Sequence, residues 1–151
     1  NRPPRRIPPA RMTLLQLADA IRQRKGPWSV KKRIVAELLN HYPRLRDARV
    51  AVLIDNGDSH IVFQEHNLGA VARGRFVIPH AHKLWTGFLA RGRIVHIASN
   101  PERSELIRRW FTPVELEGVT QLAFIPVWRK QDGWFVTCIA SAADPALPPK
   151  R

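Results

Sequence analysis

The stretch whose reading decides the fold runs Leu122-Ala-Phe-Ile-Pro-Val-Trp128, then Arg129-Lys-Gln-Asp-Gly133, then Trp134-Phe-Val-Thr-Cys-Ile-Ala-Ser141. Two apolar runs rich in β-branched and aromatic residues flank a charged segment, and Asp132-Gly133 supplies a turn, so the whole reads as a β-hairpin. It holds two of the five Trp and the single Cys of the chain. A lone Cys forms no internal disulfide, and thiolate metal sites need several, which points to an intracellular module held together by packing. Cys138 reads as core.

Working outward, Val50-Ala-Val-Leu-Ile54 and His60-Ile-Val-Phe-Gln64 flank Asp55-Asn-Gly-Asp58, a second hairpin whose Asn-Gly pair suits a type I′ turn. Asp55 and Asp58 read as turn formers rather than as an acid and base. Leu68–Arg75 reads as a loop and Phe76-Val-Ile78 as a short strand. Leu84, Trp85, Phe88 and Leu89 recur at helical spacing, predicting a helix over Ala81–Ala90 that closes at Gly92, and Arg93–Ala98 reads as a strand. Asn100 as cap and Pro101 in the first turn predict a helix over Pro101–Trp110, followed by a turn over Thr112–Gly118.

Two helices precede the first hairpin. Thr13 with Gln16 makes a capping box for Leu14–Lys25, whose stripe is Leu14, Leu17, Ala18 and Ile21, and Gly26-Pro27 ends it. Ser29 caps the second, Val30–His41, which Pro43 stops, with Lys31, Lys32 and Arg33 facing outward in its first turn. Cations there oppose the helix dipole and read as a solvated face. Two hairpins with helices interposed predict an α+β domain with a mostly antiparallel sheet, not a doubly wound parallel one.

The 151 residues, 44% of them apolar, suit one domain, and no stretch approaches the roughly 20 apolar residues of a membrane-spanning helix. The net charge of +13 is unevenly placed: residues 1–49 hold 13 Lys and Arg against 3 acids, residues 50–151 hold 12 against 9. Asn1–Arg11 carries four Arg and four Pro and reads as an extended arm. The arm is open to three readings: the cytoplasmic flank of a membrane span, a nucleic-acid arm, or a solvated linker. The division expected is therefore 1–12 as basic Pro-rich arm, 13–144 as domain and 145–151 as linker stub, the whole being a piece of a longer protein.

Catalysis finds no constellation here. No nucleophile elbow, Gly-rich phosphate loop or paired carboxylates is present. His80 and His82 stand two apart, and His60, His66 and His96 lie on or beside strands, with no Cys or carboxylate cluster to complete a metal site, so hydrogen-bonded or exposed positions are expected for them.

The order Arg93–Ala98, helix, Gly118-Val-Thr-Gln-Leu-Ala-Phe-Ile-Pro-Val127, Gly133-Trp-Phe-Val-Thr-Cys-Ile-Ala140 resembles the second half of a GAF domain, and the Asn-Gly hairpin extends the likeness over residues 13–144. The resemblance implies a central antiparallel sheet of five or six strands flanked by helices, with the closing hairpin near its centre and both its faces covered. It implies a ligand cavity under Ala81–Ala90 and Pro101–Trp110, lined by Phe76, Trp85, Phe88 and Trp110, with His80 or Arg108 as polar contacts. It also implies a non-catalytic regulatory or sensory module of a larger bacterial signalling protein, acting on an effector domain, binding a small molecule or a partner domain, and pairing as a homodimer through terminal helices. A structural dimerisation domain without ligand is the alternative, and a nucleic-acid module a further one, disfavoured because the folded half is near charge balance.

The chain departs from specialised relatives. It has no Cys near the pocket helix, where bilin-binding members attach their chromophore; methionine sulfoxide reductase members use several cysteines; and Ala142-Ala-Asp-Pro stands where cyclic-nucleotide-binding members carry Asn-Lys. No cofactor is expected. The location expected is cytoplasmic, with the arm against anionic lipid if the inner membrane tethers the full protein.

Overall fold

The computed structural model describes residues 12–23, 33–98, 104–129 and 133–141. Its sheet is six-stranded, in the order β3-β2-β1-β6-β5-β4: β1 is Arg49–Asp55, β2 Ser59–His66, β3 Val77–Pro79, β4 Val95–Ala98, β5 Gln121–Arg129 and β6 Gly133–Ser141. Every pairing is antiparallel. The closing hairpin is internal, as expected, and β6 lies against β1 at the centre of the sheet. Both faces of these strands are covered, which is why they carry so few polar residues.

Alternation along the central strands builds two apolar layers. Val50 and Val52 of β1, Ala123, Ile125 and Val127 of β5, and Phe135 and Ile139 of β6 face one side, together with Leu14, Leu17, Ala18 and Ile21 of helix α1 (Leu14–Gln23) and Ile34, Val35 and Leu38 of α2 (Ile34–His41). Ala51, Leu53, Leu122, Phe124, Val136, Cys138 and Ala140 face the other, beneath Phe76, Leu84, Leu89, Ile107, Trp110 and Phe111.

The capping box of α1 forms as read: the Thr13 N–H donates to Gln16 Oε1 at 2.9 Å and the Gln16 N–H to Thr13 Oγ1 at 3.1 Å. Residues 24–32, which include the expected cap Ser29 and Lys31 and Lys32, lie outside the described residues. Arg33 is exposed but precedes the first turn of α2, so the expected place within that turn is corrected. The cap comes from across the fold, where Gln64 Oε1 of β2 accepts from the Val35 N–H at 2.9 Å. Pro43 ends α2 as expected and opens a 3₁₀ turn over Pro43–Asp47.

Three local readings are corrected. The expected loop over Leu68–Arg75 contains a short helix, α3 (Ala70–Arg75), because Arg73 reaches the Phe63 carbonyl at 3.3 Å and Arg75 the Trp110 carbonyl at 2.9 Å. The expected helix Ala81–Ala90 is α-helical only over α4, Lys83–Gly87; a break at Phe88 leads into a 3₁₀ turn, Leu89–Arg91, so that Leu84 and Leu89 both enter the same layer. Of the expected helix Pro101–Trp110, residues 101–103 lie outside the described residues. Its remainder is a run of turns, with Ile107 N–H bonded to the Ser104 carbonyl and Trp110 N–H to the Ile107 carbonyl. Burial of Ile107, Trp110 and Phe111 against the sheet wins there over helix propensity. No helix among the described residues is long and apolar enough to cross a membrane.

Candidate functional site

The face under α4 carries the chemistry. β2 reaches it through an irregularity in its pairing with β1: Val52 is opposite Gln64, yet Leu53 is opposite Val62, which leaves Phe63 as an extra residue. A bulge of this kind reverses which side chains point to which face. Gln64 and His66 therefore serve the α2 side, where Gln64 caps α2 and His66 Nε2 lies 2.9 Å from the Arg46 carbonyl. His60, opposite Asp55, turns to the α4 side.

His60 is 1% exposed, and neither ring nitrogen has a hydrogen-bond partner among the described residues. This corrects the expectation of a hydrogen-bonded or exposed ring. Trp85 of α4 lies over it with ring centroids 4.3 Å apart, and His80 is 5.1 Å away. Burial lowers the His60 pKa below the ordinary 6.5; Asp55 works against that, His80 adds to it, and the Trp134 backbone, near the ring without hydrogen-bond geometry, opposes it slightly. His80 Nε2 and, on the opposite face, Thr137 Oγ1 are the other buried side-chain polar atoms without a hydrogen-bond partner among the described residues, and Thr137 stands in a purely apolar layer.

His80 Nε2 stands 3.2 Å from Asp55 Oδ1, an ion-pair distance without hydrogen-bond alignment. Asp55 also accepts from the Gly57 N–H at 2.8 Å, so it is the turn former expected and a neighbour of the cluster as well. His82 caps α4: its Nδ1 accepts from the Leu84 N–H at 3.0 Å, which requires that nitrogen unprotonated, and burial followed by the nearby Arg109 lowers its pKa.

The expected pocket residues fall into three groups. Phe76 and Trp110 meet with centroids 5.6 Å apart and interlock with Phe111 and Phe124, and Trp110 also meets His82 at 5.0 Å. His80 and Trp85 stack at 5.4 Å with 23° between ring planes, and Phe88 packs partly buried on the same layer. Arg108 stands apart, exposed and paired with Glu105 at 3.1 Å. A cavity of about 10 Å³ opens toward the other end of this face, lined by Ala51, Phe76, Phe111, Leu116 and Cys138, with Arg49 and Glu115 at its polar side. It shares only Phe76 with the expected set. Arg49 donates to the Glu115 carbonyl and Arg75 to its carboxylate, holding the 112–119 turn over the cavity.

Sequence reading missed His60, Asp55 and Arg49 as a set. Period-two alternation puts His60 on the face of Val62 but puts Gln64 and His66 there as well, so it did not single His60 out. Among the described residues no three His, Cys, Asp or Glu side chains converge to hold a metal ion. Cys138 is buried, and burial pushes its thiol far above its ordinary pKa.

No protein-family model matches the chain, and no curated protein matches it. Solved structures do. The GAF domain of a two-component sensor histidine kinase from Bacillus halodurans superposes with a TM-score of 0.53 at 14% identity, over 78% of this chain and 79% of that one. The GAF domain of a phosphoenolpyruvate-protein phosphotransferase from Coxiella burnetii gives 0.51 at 14% identity, over 87% of this chain and 77% of its own. The fold is that of a GAF domain. A third similar structure, fRMsr of Staphylococcus aureus in its reduced form, gives 0.53 at 12% identity over 89% and 79%. At such identities the likeness establishes the GAF fold and leaves ligand and activity to the residues themselves. In this GAF fold the α4 side of the sheet holds both the histidine–tryptophan cluster and the small cavity.

Proposed function

We propose that this GAF domain is a non-catalytic regulatory or sensory module of a larger signalling protein, and that it binds a small molecule or a partner domain's side chain at the face under α4. One observation carries the reading. His60 is a fully buried ring on that face whose two nitrogens have no hydrogen-bond partner among the described residues, and such a group costs stability unless something else uses it. The ring of Trp85, over His60 and stacked with His80, supplies the apolar part of a recognition site.

A non-catalytic role fits the chemistry of the side chains. Thiol redox work needs an accessible thiolate, and the one Cys is buried with its pKa raised. His80 and Asp55 form a pair, but no nucleophile stands beside them among the contacts of the cluster. The test is a thermal-shift screen of hydrogen-bonding heteroaromatic fragments, followed by NMR of the histidine ring protons. The expected result is a fragment that raises the melting temperature and shifts the His60 and Trp85 signals, with both effects lost in Trp85→Ala. Fragments that stabilise the domain without touching either signal refute the assignment of the face.

A second reading, dimerisation through α1, is favoured by Leu15, which is 47% exposed and lies off the buried stripe. Light scattering on the wild type and Leu15→Glu decides it: a dimer converted to monomer by the substitution is the expected outcome, and a wild-type monomer at high micromolar concentration refutes it.

A further inference from the structure

The closing hairpin, β5 and β6, leaves one of its two tryptophans largely exposed. Trp128, at the end of β5, is 58% exposed, while Cys138 further along β6 is buried. Trp128 sits opposite Trp134 in register and meets it edge-on, with centroids 5.2 Å apart and 62° between planes. Trp134 is braced from behind by Gly92, whose φ of +73° closes the 3₁₀ turn; a Cβ on Gly92 would stand 3.1 Å from the Trp134 ring. The exposed indole is therefore held on a fixed support.

The groups around it are cationic. Arg91 and Arg93, on either side of Gly92, are exposed, and neither has an ion-pair partner among the described residues. Arg22 reaches the Gly92 carbonyl at 3.4 Å from the end of α1. The carboxylates nearby are already engaged: Asp19 by Arg22 at 3.0 Å, and Asp55, one position beyond the Ile54–Phe135 pair, by His80 and the Gly57 N–H.

We propose that this end of the sheet is a docking surface for an anionic lipid bilayer, with Trp128 seated at headgroup depth and Arg91 and Arg93 against lipid phosphates. An indole has an apolar body and one N–H donor, which suits the membrane–water interface, and guanidinium groups match phosphate oxygens. The charge complementarity is with a negative surface, since Arg91 and Arg93 are exposed cations without an ion-pair partner among the described residues, whereas Arg22 is already paired with Asp19. A single-stranded nucleic acid fits less well. It needs flat ring faces along a groove that follows successive phosphates, whereas Trp128 meets Trp134 edge-on and the cations cluster on one turn. This surface adjoins the face under α4, since Asp55 and the Trp134 backbone border both, but the proposal does not depend on what binds at His60.

Flotation of the whole chain with phosphatidylcholine vesicles, with and without phosphatidylserine, tests the proposal. Three variants accompany the wild type: Trp128→Ala; Arg91→Gln with Arg93→Gln; and a variant with Arg2, Arg5, Arg6 and Arg11 all changed to Gln, which removes the charge of the N-terminal arm. Binding is expected only with phosphatidylserine, falling roughly five-fold for each patch Arg removed and falling again with salt. Tryptophan emission of the wild type should shift to the blue on binding, and that shift should vanish in Trp128→Ala. The double Arg variant leaves Trp128 in place, so it stands as an independent arm should Trp128→Ala disturb the hairpin. No vesicle binding, binding removed by the arm variant but untouched by both patch variants, or tighter binding of a single-stranded oligonucleotide at the same salt that Trp128→Ala abolishes would each overturn it.

Discussion

Replacing His60 with Phe should make the domain more stable at neutral pH, and more so as the solution is acidified. A buried donor or acceptor left unpaired costs about 1–3 kcal/mol, and both ring nitrogens of His60 are in that position. Phenylalanine keeps the planar contact with Trp85 at 4.3 Å while removing the polar atoms, and its slightly larger ring returns about 1 kcal/mol as packing strain. The net gain expected at pH 7.5 is about 1 kcal/mol, on the order of 4 °C in melting temperature. The pH dependence has a definite sign. Because the folded ring has a pKa below 6.5, the unfolded chain takes up the proton first as pH falls. Wild-type stability is therefore unaffected by this group above pH 6.5 and declines below it, by about 1.4 kcal/mol per pH unit at most until the folded pKa is reached. By pH 5 the gain from His60→Phe should have grown by at most about 2 kcal/mol. His82, also lowered, remains in the variant, so the slope should shrink without vanishing. Urea denaturation followed by tryptophan fluorescence at pH 7.5 and pH 5 measures both quantities. A variant that loses stability at pH 7.5 with its pH slope unchanged would show that the imidazole is internally satisfied, and the argument for the face under α4 would fall with it.

Trp110→Ala should cost about 3–5 kcal/mol, since Trp110 is fully buried against Phe76, Phe124 and His82, and chemical denaturation should show most of the domain's stability gone. Gly92→Ala combines a left-handed backbone with a 3.1 Å approach to Trp134, so a loss of about 1–2 kcal/mol and a change in tryptophan emission are expected; Gly57→Ala is strained too, at a φ of +104°, but its added Cβ meets no atom, so its loss should leave the emission unchanged. Cys138 should resist an alkylating reagent at pH 8 in the native protein and react only once urea unfolds it, because burial raises its pKa and denies access; rapid native labelling read by mass spectrometry would contradict its placement.

The existence and type of the main elements could be read from local patterns. The Thr13/Gln16 capping box, the α1 stripe, both hairpins and the antiparallel sheet all appear where spacing placed them, because capping and alternation act over a few residues. The site was half legible. Phe76, Trp85 and Trp110 were expected on this face and lie on it, whereas Arg108 points to solvent and pairs with Glu105. The stretch Pro101–Trp110 read as a helix from its Asn100 cap and Pro101, but three large side chains, Ile107, Trp110 and Phe111, drawn to one sheet face hold its described part as turns.

Trp128 was the least legible residue. Its strand neighbours Ile125 and Val127 are buried, and nothing in the local sequence says that cover ends one residue later, at the rim of the sheet. The sequence by itself determined the alternation of β1 and β6 and the lone cysteine's inward place, since these follow from the chemistry of adjacent residues; the expected type I′ turn at Asn56-Gly57 is corrected, because only Gly57 of the pair has a positive φ, +104°. Tertiary structure alone decided the fate of His60. Read as uninterrupted alternation, His60, Val62, Gln64 and His66 share a face; the extra residue at Phe63 divides them, sending Gln64 to cap α2 and His60 beneath Trp85. That division arises because β2 must satisfy two layers on opposite sides of one sheet, a demand set by elements distant in the chain.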